Sequence, residues 1–373
     1  MRSYAAFRMV LHDRSSTIGA LLGVVAIVFL VGQQLSVLFG LLNYMSVLVD
    51  HSGADAWITS ANVRNADAGN LISGRYLDRV IGLDEVLWAE PILIGNGLFR
   101  TKDGSFESVR VIGTKRPRIA GGPWEFAEAD ERSLLDLESI TVDRLDLEKL
   151  GNPVLDDITE IGDKRVRVRA ITEGARGFQG TLVFASIDKV KDISRTPPGR
   201  YSAILIHFKE NIIKEEALAR LRFILPECAV FSASELSALT RNYYFSNTGI
   251  GGSFGFSTVI AVLIGLVIIT LTMYTSVLGR TKDFAVMRAL GGRKIDIAVV
   301  VLSEALIIAG IGVFIGFLML STLLNATGGS SIPSFLPAEV PIILGVGTIF
   351  ISLLGSLIAL RVAIKAEPAS VFH

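Results

Sequence analysis

The sequence predicts a membrane protein with four transmembrane helices and a large mixed α/β domain inserted between the first and second helices. First, 50% of the 373 residues are hydrophobic and only 19% are charged, which is too apolar for an ordinary soluble protein. Second, four long runs carry almost no ionisable side chain. Third, strand and turn patterns alternate through the stretch of about 200 residues between the first two runs.

Each apolar run is long enough to cross a bilayer, which takes roughly 20 residues. The runs cover residues 17–49, 256–278, 295–324 and 340–360, and only Asp296 and Glu304 interrupt them. The first run exceeds the thickness of a bilayer, so we expect its second half to continue as a stalk. That run is also too long for a signal peptide and lacks a small-residue cleavage site, so we interpret it as retained.

The positions of Lys and Arg in the short connections predict the orientation. Basic residues precede the first run and recur at 279–294 and 361–373, whereas 325–339 has none. By the positive-inside rule both termini and the 279–294 loop are cytoplasmic, and the 325–339 loop and the domain at 50–255 are extracytoplasmic. A bacterial inner membrane with a periplasmic domain fits this pattern. Residues 1–16 mix arginines with apolar residues, which predicts an interfacial helix on the cytoplasmic leaflet, with a frayed tail as the alternative.

Within the outer domain, spacing and turn residues predict particular elements. We expect a strand over 90–99 that is broken by Gly95, Asn96 and Gly97, a hairpin over 160–171 and a helix over 214–225. In the hairpin, alternation places Arg165, Arg167 and Arg169 on one strand face. This face could bind an acidic partner or lipid phosphates, or it could simply be solvated.

Glycines mark two further places. Gly249, Gly251, Gly252 and Gly255 precede the second run, where they predict either a hinge or close helix packing. The pairs Gly19 with Gly23 and Gly312 with Gly316 have the small-xxx-small spacing of membrane helices, which indicates packing within one chain or a homodimer seam.

The loop at 279–294 predicts a short helix. Thr281 can cap it, Asp283 favours its first turn, and Gly291 can end it in a left-handed turn. Phe284, Met287 and Leu290 are spaced by three and form an apolar edge. Since so short a helix cannot bury that edge alone, the edge must dock on lipid headgroups or on another protein.

The stretch GRTKDFAVMRALGGRKIDIAVVVLSEA at 279–305 resembles the signature of the FtsX-like, MacB-type ABC permeases, which reads approximately RTKEIAVLRALGA and precedes a helix with a glutamate. Glu304 stands at that glutamate position. Phe284 and Gly292 depart from the pattern, where isoleucine and alanine or serine are usual. The topology of one helix, an outer domain and three helices is also similar. The N-terminal FRMVLHDRSSTIGALLGVVAIVFLVGQQ and the overall size resemble the DevC-type permeases of this family.

The resemblance implies a MacB-like periplasmic core domain and a loop helix that couples to a cytoplasmic ABC ATPase. The coupling residues it implies are Arg280, Lys282, Asp283, Phe284, Met287, Arg288, Leu290 and Gly291. The sequence has no G-x-x-x-x-G-K-[ST] loop, so ATP and Mg²⁺ would belong to the partner ATPase, and no cofactor is expected in this chain. Family members work as permease pairs on ATPase pairs, which implies a homodimer. A periplasmic adaptor and an outer-membrane duct are further expected partners, beside membrane lipids.

Glu304 is a carboxylate about two turns inside a predicted membrane helix. There an unpaired charge costs on the order of 3 kcal/mol, which makes it a functional candidate. The alternative is a structural clamp that bonds Ser303 or hydroxyls of a neighbouring helix, such as Thr270 and Thr272.

Three functions fit these patterns. The first is an ABC export permease for a lipid, lipopeptide or drug, which works by mechanotransmission. The second is a lipoprotein-release permease of the LolC/LolE type, and the third is an FtsX-like regulator of a cell-wall hydrolase. The net charge of zero indicates no nucleic-acid partner, and a single cysteine with four scattered histidines predicts no metal site. The acids and bases of the outer domain show no spacing that marks a catalytic set.

Overall fold

A computed structural model of the protein describes residues 14–68, 70–279, 281–327 and 333–365. The chain divides into two compact units. The sheet unit is Leu41–Ile250, and the membrane unit comprises the described residues up to Gly40 and from Gly251 onward. Of the predicted interfacial helix at 1–16, residues 1–13 lie outside the described residues, and Arg14 already begins the first long helix.

The α-helices, in chain order, are α1 (Arg14–Asp50), α2 (Arg75–Val80), α3 (Ile187–Ser194), α4 (Lys214–Ile224), α5 (Ala233–Asn247), α6 (Ile250–Gly279), α7 (Thr281–Ala289), α8 (Lys294–Thr327) and α9 (Glu339–Lys365). Within the described residues, α1, α6, α8 and α9 are long and apolar enough to cross a membrane. They correspond to the four predicted runs. The predicted fold class is therefore confirmed, since the large α/β domain follows the first of these helices and precedes the second.

The strands all belong to the sheet unit. They are β1 (Ala56–Ser60), β2 (Ile72–Ser73), β3 (Val86–Arg100), β4 (Phe106–Thr114), β5 (Phe126–Glu128), β6 (Ser139–Asp143), β7 (Ile158–Ile161), β8 (Lys164–Thr172), β9 (Arg176–Gly177), β10 (Gly180–Ser186), β11 (Arg200–Tyr201), β12 (Ala203–Phe208) and β13 (Cys228–Ser232). The main sheet has the order β13-β1-β12-β3-β4-β10-β6-β8-β5, and it is mixed because β10 runs parallel to β4 and β6 parallel to β8. The central strands are buried on both faces, since along β10 Val183 and Ala185 join one hydrophobic cluster and Leu182 and Phe184 join another.

Both ends of the sheet unit are helical and pack on the sheet. The last turns of α1 contribute Val47, Leu48 and Val49 to a hydrophobic cluster that also contains Leu236 of α5. The same cluster holds Trp57, Phe184 and Leu205 from the central strands. The helices through which the chain enters and leaves this unit are therefore part of its core.

The predicted break of the strand at 95–97 is wrong, because β3 runs without interruption from Val86 to Arg100. The glycines serve packing instead. A Cβ on Gly95 would lie 3.0 Å from the Cβ of Ser194, so the glycine lets α3 approach the strand. The predicted hairpin at 160–171 is confirmed by β7 and β8, whose turn residues Gly162 and Asp163 both have positive φ.

In the membrane unit, the glycine pairs bring helices of the same chain together. A Cβ on Gly312 would lie 2.6 Å from Val24 Cγ1, and one on Gly316 would lie 2.7 Å from Val28 Cβ. Gly23 of α1 meets Ile268 of α6 in the same way. Of the two predictions for these pairs, the structure favours packing within one chain.

Candidate functional site

The short helix α7 forms in the predicted loop, and its end follows from its two glycines. Gly291 has φ +90°, a conformation that residues with a side chain rarely adopt. The Gly291 N–H donates to Arg288 O at 3.0 Å and the Gly292 N–H donates to Met287 O at 2.9 Å, which is the Schellman arrangement. A Cβ on Gly292 would lie 2.7 Å from Met287 O. The departure from the family pattern at this position therefore fits the tight end of the helix.

The structure divides the predicted apolar edge of α7. Phe284 is only 1% exposed and belongs to the core of the membrane unit, together with Ile297 and Val300. Met287 is half-buried and packs against the same core. The expectation of one exposed edge is therefore wrong for Phe284, because three-residue spacing does not reveal which side of a short helix meets its own chain.

The outward side of α7 carries other residues. Leu290 is 84% exposed and Val286 is 42% exposed, and Asp283 and Ala289 are exposed on the same side. Exposed apolar groups on a helix of nine residues indicate a surface that another molecule covers. We call Val286 and Leu290, with Asp283 and Ala289, the docking face.

The remaining predicted coupling residues lie around this face. Arg288 is half-buried, and Gly291 ends the helix as described. Arg280 and the side chain of Lys282 lie outside the described residues. Sequence reasoning did not identify Val286. The only indication of it in the sequence is that it is an apolar residue one helical turn before Leu290.

Asp296, which interrupts the third apolar run, lies at the start of α8. Its carboxylate accepts a hydrogen bond from the Arg293 N–H at 2.8 Å, as the acidic partner of a capping box does. This charge therefore stabilises the start of a helix and does not enter its apolar middle.

Glu304 of α8 is 2% exposed, and the Ser276 hydroxyl of α6 lies 3.5 Å from its Oε1. The predicted alternative partner Thr272 instead donates to the carbonyls of its own helix at Ile268 and Ile269. Glu304 therefore meets the hydroxyl of Ser276 on the neighbouring helix. This contact between two helices supports the structural alternative for the acid.

The three arginines of β8 share one strand face, as alternation predicts, since Val166 and Val168 between them are buried. Asp156 lies beside both Arg167 and Arg169. Because the single Asp156 carboxylate offsets about one of the three positive charges, this face has less net charge to offer an acidic partner.

A polar cluster in the sheet unit was not predicted from the sequence. Tyr244 of α5 is 2% exposed, and its hydroxyl donates to Asp67 Oδ2 at 2.8 Å and accepts from Gln179 Nε2 at 2.6 Å. Arg110 of β4 donates to the carbonyl of Asp67 and to Gln179 Oε1. Burial raises the pKa of the Asp67 carboxyl, an effect that the charge of Arg110 and the bond from Tyr244 oppose. We call these four residues the Tyr244 cluster.

Residues 255–368 match the family model described as FtsX-like permease C-terminal. This region contains α7, Gly291 and Glu304 and includes most of α6 with all of α8 and α9. Residues 255–368 therefore resemble the FtsX-like permeases, the membrane components of ABC transporters, and the predicted resemblance is confirmed for this region. It is a multi-pass membrane protein.

Solved structures give weaker likenesses. The chain is similar to the periplasmic region of MacB from Actinobacillus actinomycetemcomitans, at 11% identity over 51% of this chain and 95% of that chain, with a TM-score of 0.39. It is also similar to the extracellular domain of the ABC-type transporter YknZ from Gram-positive bacteria, at 12% identity over 48% of this chain and 98% of that chain, with a TM-score of 0.35. Because both TM-scores lie below 0.5, neither likeness carries the assignment. No curated protein matches the chain.

Proposed function

We propose that this permease is the non-catalytic membrane subunit of an ABC exporter that moves a lipid, lipopeptide or drug by mechanotransmission. A separate ATPase binds ATP and Mg²⁺, and its closure moves α7. The movement passes through the membrane helices to the sheet unit, which lies in the periplasm. No substrate needs to pass between the four helices of the chain in this mechanism.

The observation that carries the proposal is the way α7 is held. Phe284 fixes the helix to the core of its own unit, while Leu290 and Val286 face outward without apolar cover in the described chain. A helix held on one side and exposed on the other can transmit a push from a bound partner to α8. A loose loop with the same residues could not.

Each predicted coupling residue then has a proposed role. Leu290 enters an apolar groove on the ATPase, Phe284 and Met287 hold the helix, and Gly291 ends it. Arg280, Lys282, Asp283 and Arg288 supply charge around the contact. The assembly comprises two copies of this chain and two ATPase subunits in the bacterial inner membrane, with both termini and α7 cytoplasmic. A periplasmic adaptor and an outer-membrane duct complete the export path, as in the DevC-type members that the N-terminal segment resembles.

The proposal is tested by affinity purification of the tagged full-length chain from native membranes, followed by identification of its partners. We expect an ABC ATPase together with an adaptor. A second, different permease would instead indicate lipoprotein release, and a cell-wall hydrolase would indicate a regulator. Absence of any ATPase would contradict the proposal.

The docking face is tested with Leu290→Asp in the same purification. We expect the affinity for the ATPase to fall by about fivefold to thirtyfold, because loss of a central interface residue costs about 1–2 kcal/mol. Phe223→Asp is the matched control, since Phe223 of α4 is 87% exposed and lies in the sheet unit. Equal ATPase recovery with both variants would exclude Leu290 from the contact.

A further inference from the structure

One two-residue turn in the sheet unit contacts both helices that connect this unit to the rest of the chain. Gly177 of β9 pairs with Gly180 of β10, so Phe178 and Gln179 form the tip of a tight hairpin. The Phe178 N–H donates to the carbonyl of Tyr44, in the last turns of α1, at 3.1 Å. The ring of Phe178 packs on the ring of Tyr244 in α5, with 4.8 Å between the ring centroids.

The same turn is tied to the central sheet. Gln179 bridges Tyr244 and Arg110 of β4, as part of the Tyr244 cluster. Behind it, the Arg176 guanidinium lies 3.4 Å from the buried carboxylate of Asp146, which fixes the base of the hairpin. The turn is therefore anchored to the sheet on one side and to two helices on the other.

The two connecting helices are also joined directly. Arg241 of α5 donates to Ser46 Oγ at 2.7 Å and to Asp50 Oδ2 at 2.6 Å, both on α1. Ser46 in turn donates to Asp50 Oδ2 at 2.7 Å. Neither helix end can move within the sheet unit without breaking charge-assisted hydrogen bonds.

From this geometry we propose that the Phe178–Gln179 turn and the Tyr244 cluster form a rigid joint, whose residues position both connecting helices on the sheet so that a movement of the helices moves the sheet as one body. The inference rests on the proposed mechanotransmission, and it names the residues that carry the movement into the sheet unit. Tyr244 and Gln179 are positioning residues, since they act through the helices and the sheet. A polar cluster suits this role because its bonds are directional and a missing member leaves buried groups unsatisfied.

The joint is tested by measuring one distance in the full-length chain. Spin labels replace Asn242 of α5 and Phe106 of β4, which are both exposed, in a Cys228→Ser background that removes the native cysteine. In reconstituted membranes we expect a single narrow distance distribution. Addition of ATP and the co-purified ATPase should leave this distance unchanged, because helix and sheet move together.

Two variants weaken the joint. Tyr244→Phe removes the hydroxyl that Asp67 and Gln179 share, and Gln179→Ala acts at an exposed turn residue, where a folding defect is not expected. With either variant we expect the single narrow distance to be lost. Tyr243→Phe is the matched control, because the neighbouring tyrosine lies outside the cluster, and we expect it to keep the narrow distance.

An unchanged narrow distribution in both variants would overturn the joint, as would a wild-type distance that shifts when ATP and the ATPase are added. Failure of the proposed function is distinguishable, because it would appear as the absence of a co-purified ATPase. The distances in the resting chain would report on the joint in that case too.

Discussion

At the scale of single residues, Phe284 shows how an anchored side chain differs from a docking side chain. Both Phe284 and Leu290 are large and apolar, and they lie six positions apart in a loop of basic character. Phe284 is 1% exposed and Leu290 is 84% exposed. We therefore expect substitution of Phe284 to lower stability and substitution of Leu290 to weaken partner binding while leaving stability nearly unchanged.

We predict that Phe284→Ala destabilises the membrane unit by about 3–5 kcal/mol, because it leaves a cavity in a packed core. Leu290→Ala should change stability by less than about 0.5 kcal/mol, as exposed positions usually do. The measurement is the fraction of protein that stays monodisperse after heating in detergent. Similar losses for both variants would mean that Leu290 is covered within the chain.

Asp55 of the sheet unit makes stability depend on pH. Burial alone would raise its pKa, but hydrogen bonds from Lys214 Nζ at 2.6 Å and from the Phe208 N–H at 2.9 Å, with the nearby His207, lower the pKa of Asp55 overall. Since the folded value lies below the ordinary value of about 3.9, Asp55 stabilises the fold above that pH, and this contribution is lost as the pH falls through the folded value.

We therefore predict that Asp55→Asn lowers the free energy of unfolding at pH 7 and that its difference from wild type shrinks as the pH falls below about 4. All three tryptophans, Trp57, Trp88 and Trp124, lie in the sheet unit, so tryptophan fluorescence follows the unfolding of this unit alone. Asp188→Asn is the control, because Asp188 is 69% exposed and pairs only with Lys191 among the ion pairs of the described chain. A pH-independent deficit would show that Asp55 acts through packing.

At the scale of elements, glycine decides how closely the membrane helices approach. Gly265 of α6 faces Ile27 of α1 so closely that an added Cβ would overlap its side chain, whereas Gly252 of the same helix faces open space. We predict that Gly265→Val costs about 1–3 kcal/mol through overpacking and that Gly252→Val is tolerated. Heating in detergent measures both, and an equal response would mean that α1 and α6 can separate without cost.

The sequence predicts where the helices and strands lie better than it predicts which of their faces are buried. Uncharged length alone locates α1, α6, α8 and α9, because hydrocarbon excludes charge over a fixed thickness. The prediction from sequence fails at β3, because the glycines that normally end a strand here lie within it and let α3 pack closely. It fails again at Phe284, because the partner of a short helix is chosen by tertiary structure.

The Tyr244 cluster lies beyond sequence reasoning for a different reason. Asp67 and Tyr244 are separated by 177 positions, and neither has a local pattern that points to the other. Only the pairing of distant strands and the return of α5 to the sheet bring them together. By contrast, the glycine end of α7 was predictable, since its residues are adjacent in the sequence.

At the scale of the whole molecule, the distribution of Lys and Arg makes a prediction about sidedness. In a Cys228→Ser background, Ala338→Cys between α8 and α9 should react with a membrane-impermeant maleimide in intact cells from which the outer membrane has been removed. Arg293→Cys, just after α7, should react only after permeabilisation. Both positions are exposed. The reverse pattern would invert the proposed orientation and place α7 out of reach of an ATPase.

The packing of both connecting helices into the sheet unit also determines how this unit could be exchanged between related chains. The last ten residues of α1, from Leu41, and all of α5 belong to that unit, and Gly249 with φ +76° follows α5 before α6 begins. A chimera joined where the apolar runs end, at residues 49 and 256, would separate Tyr44 from the hairpin that it contacts. Cuts at Gly40 and Gly249 would transfer the domain together with the helix segments that pack into its core. The structural units of this protein therefore do not end where its apolar runs end.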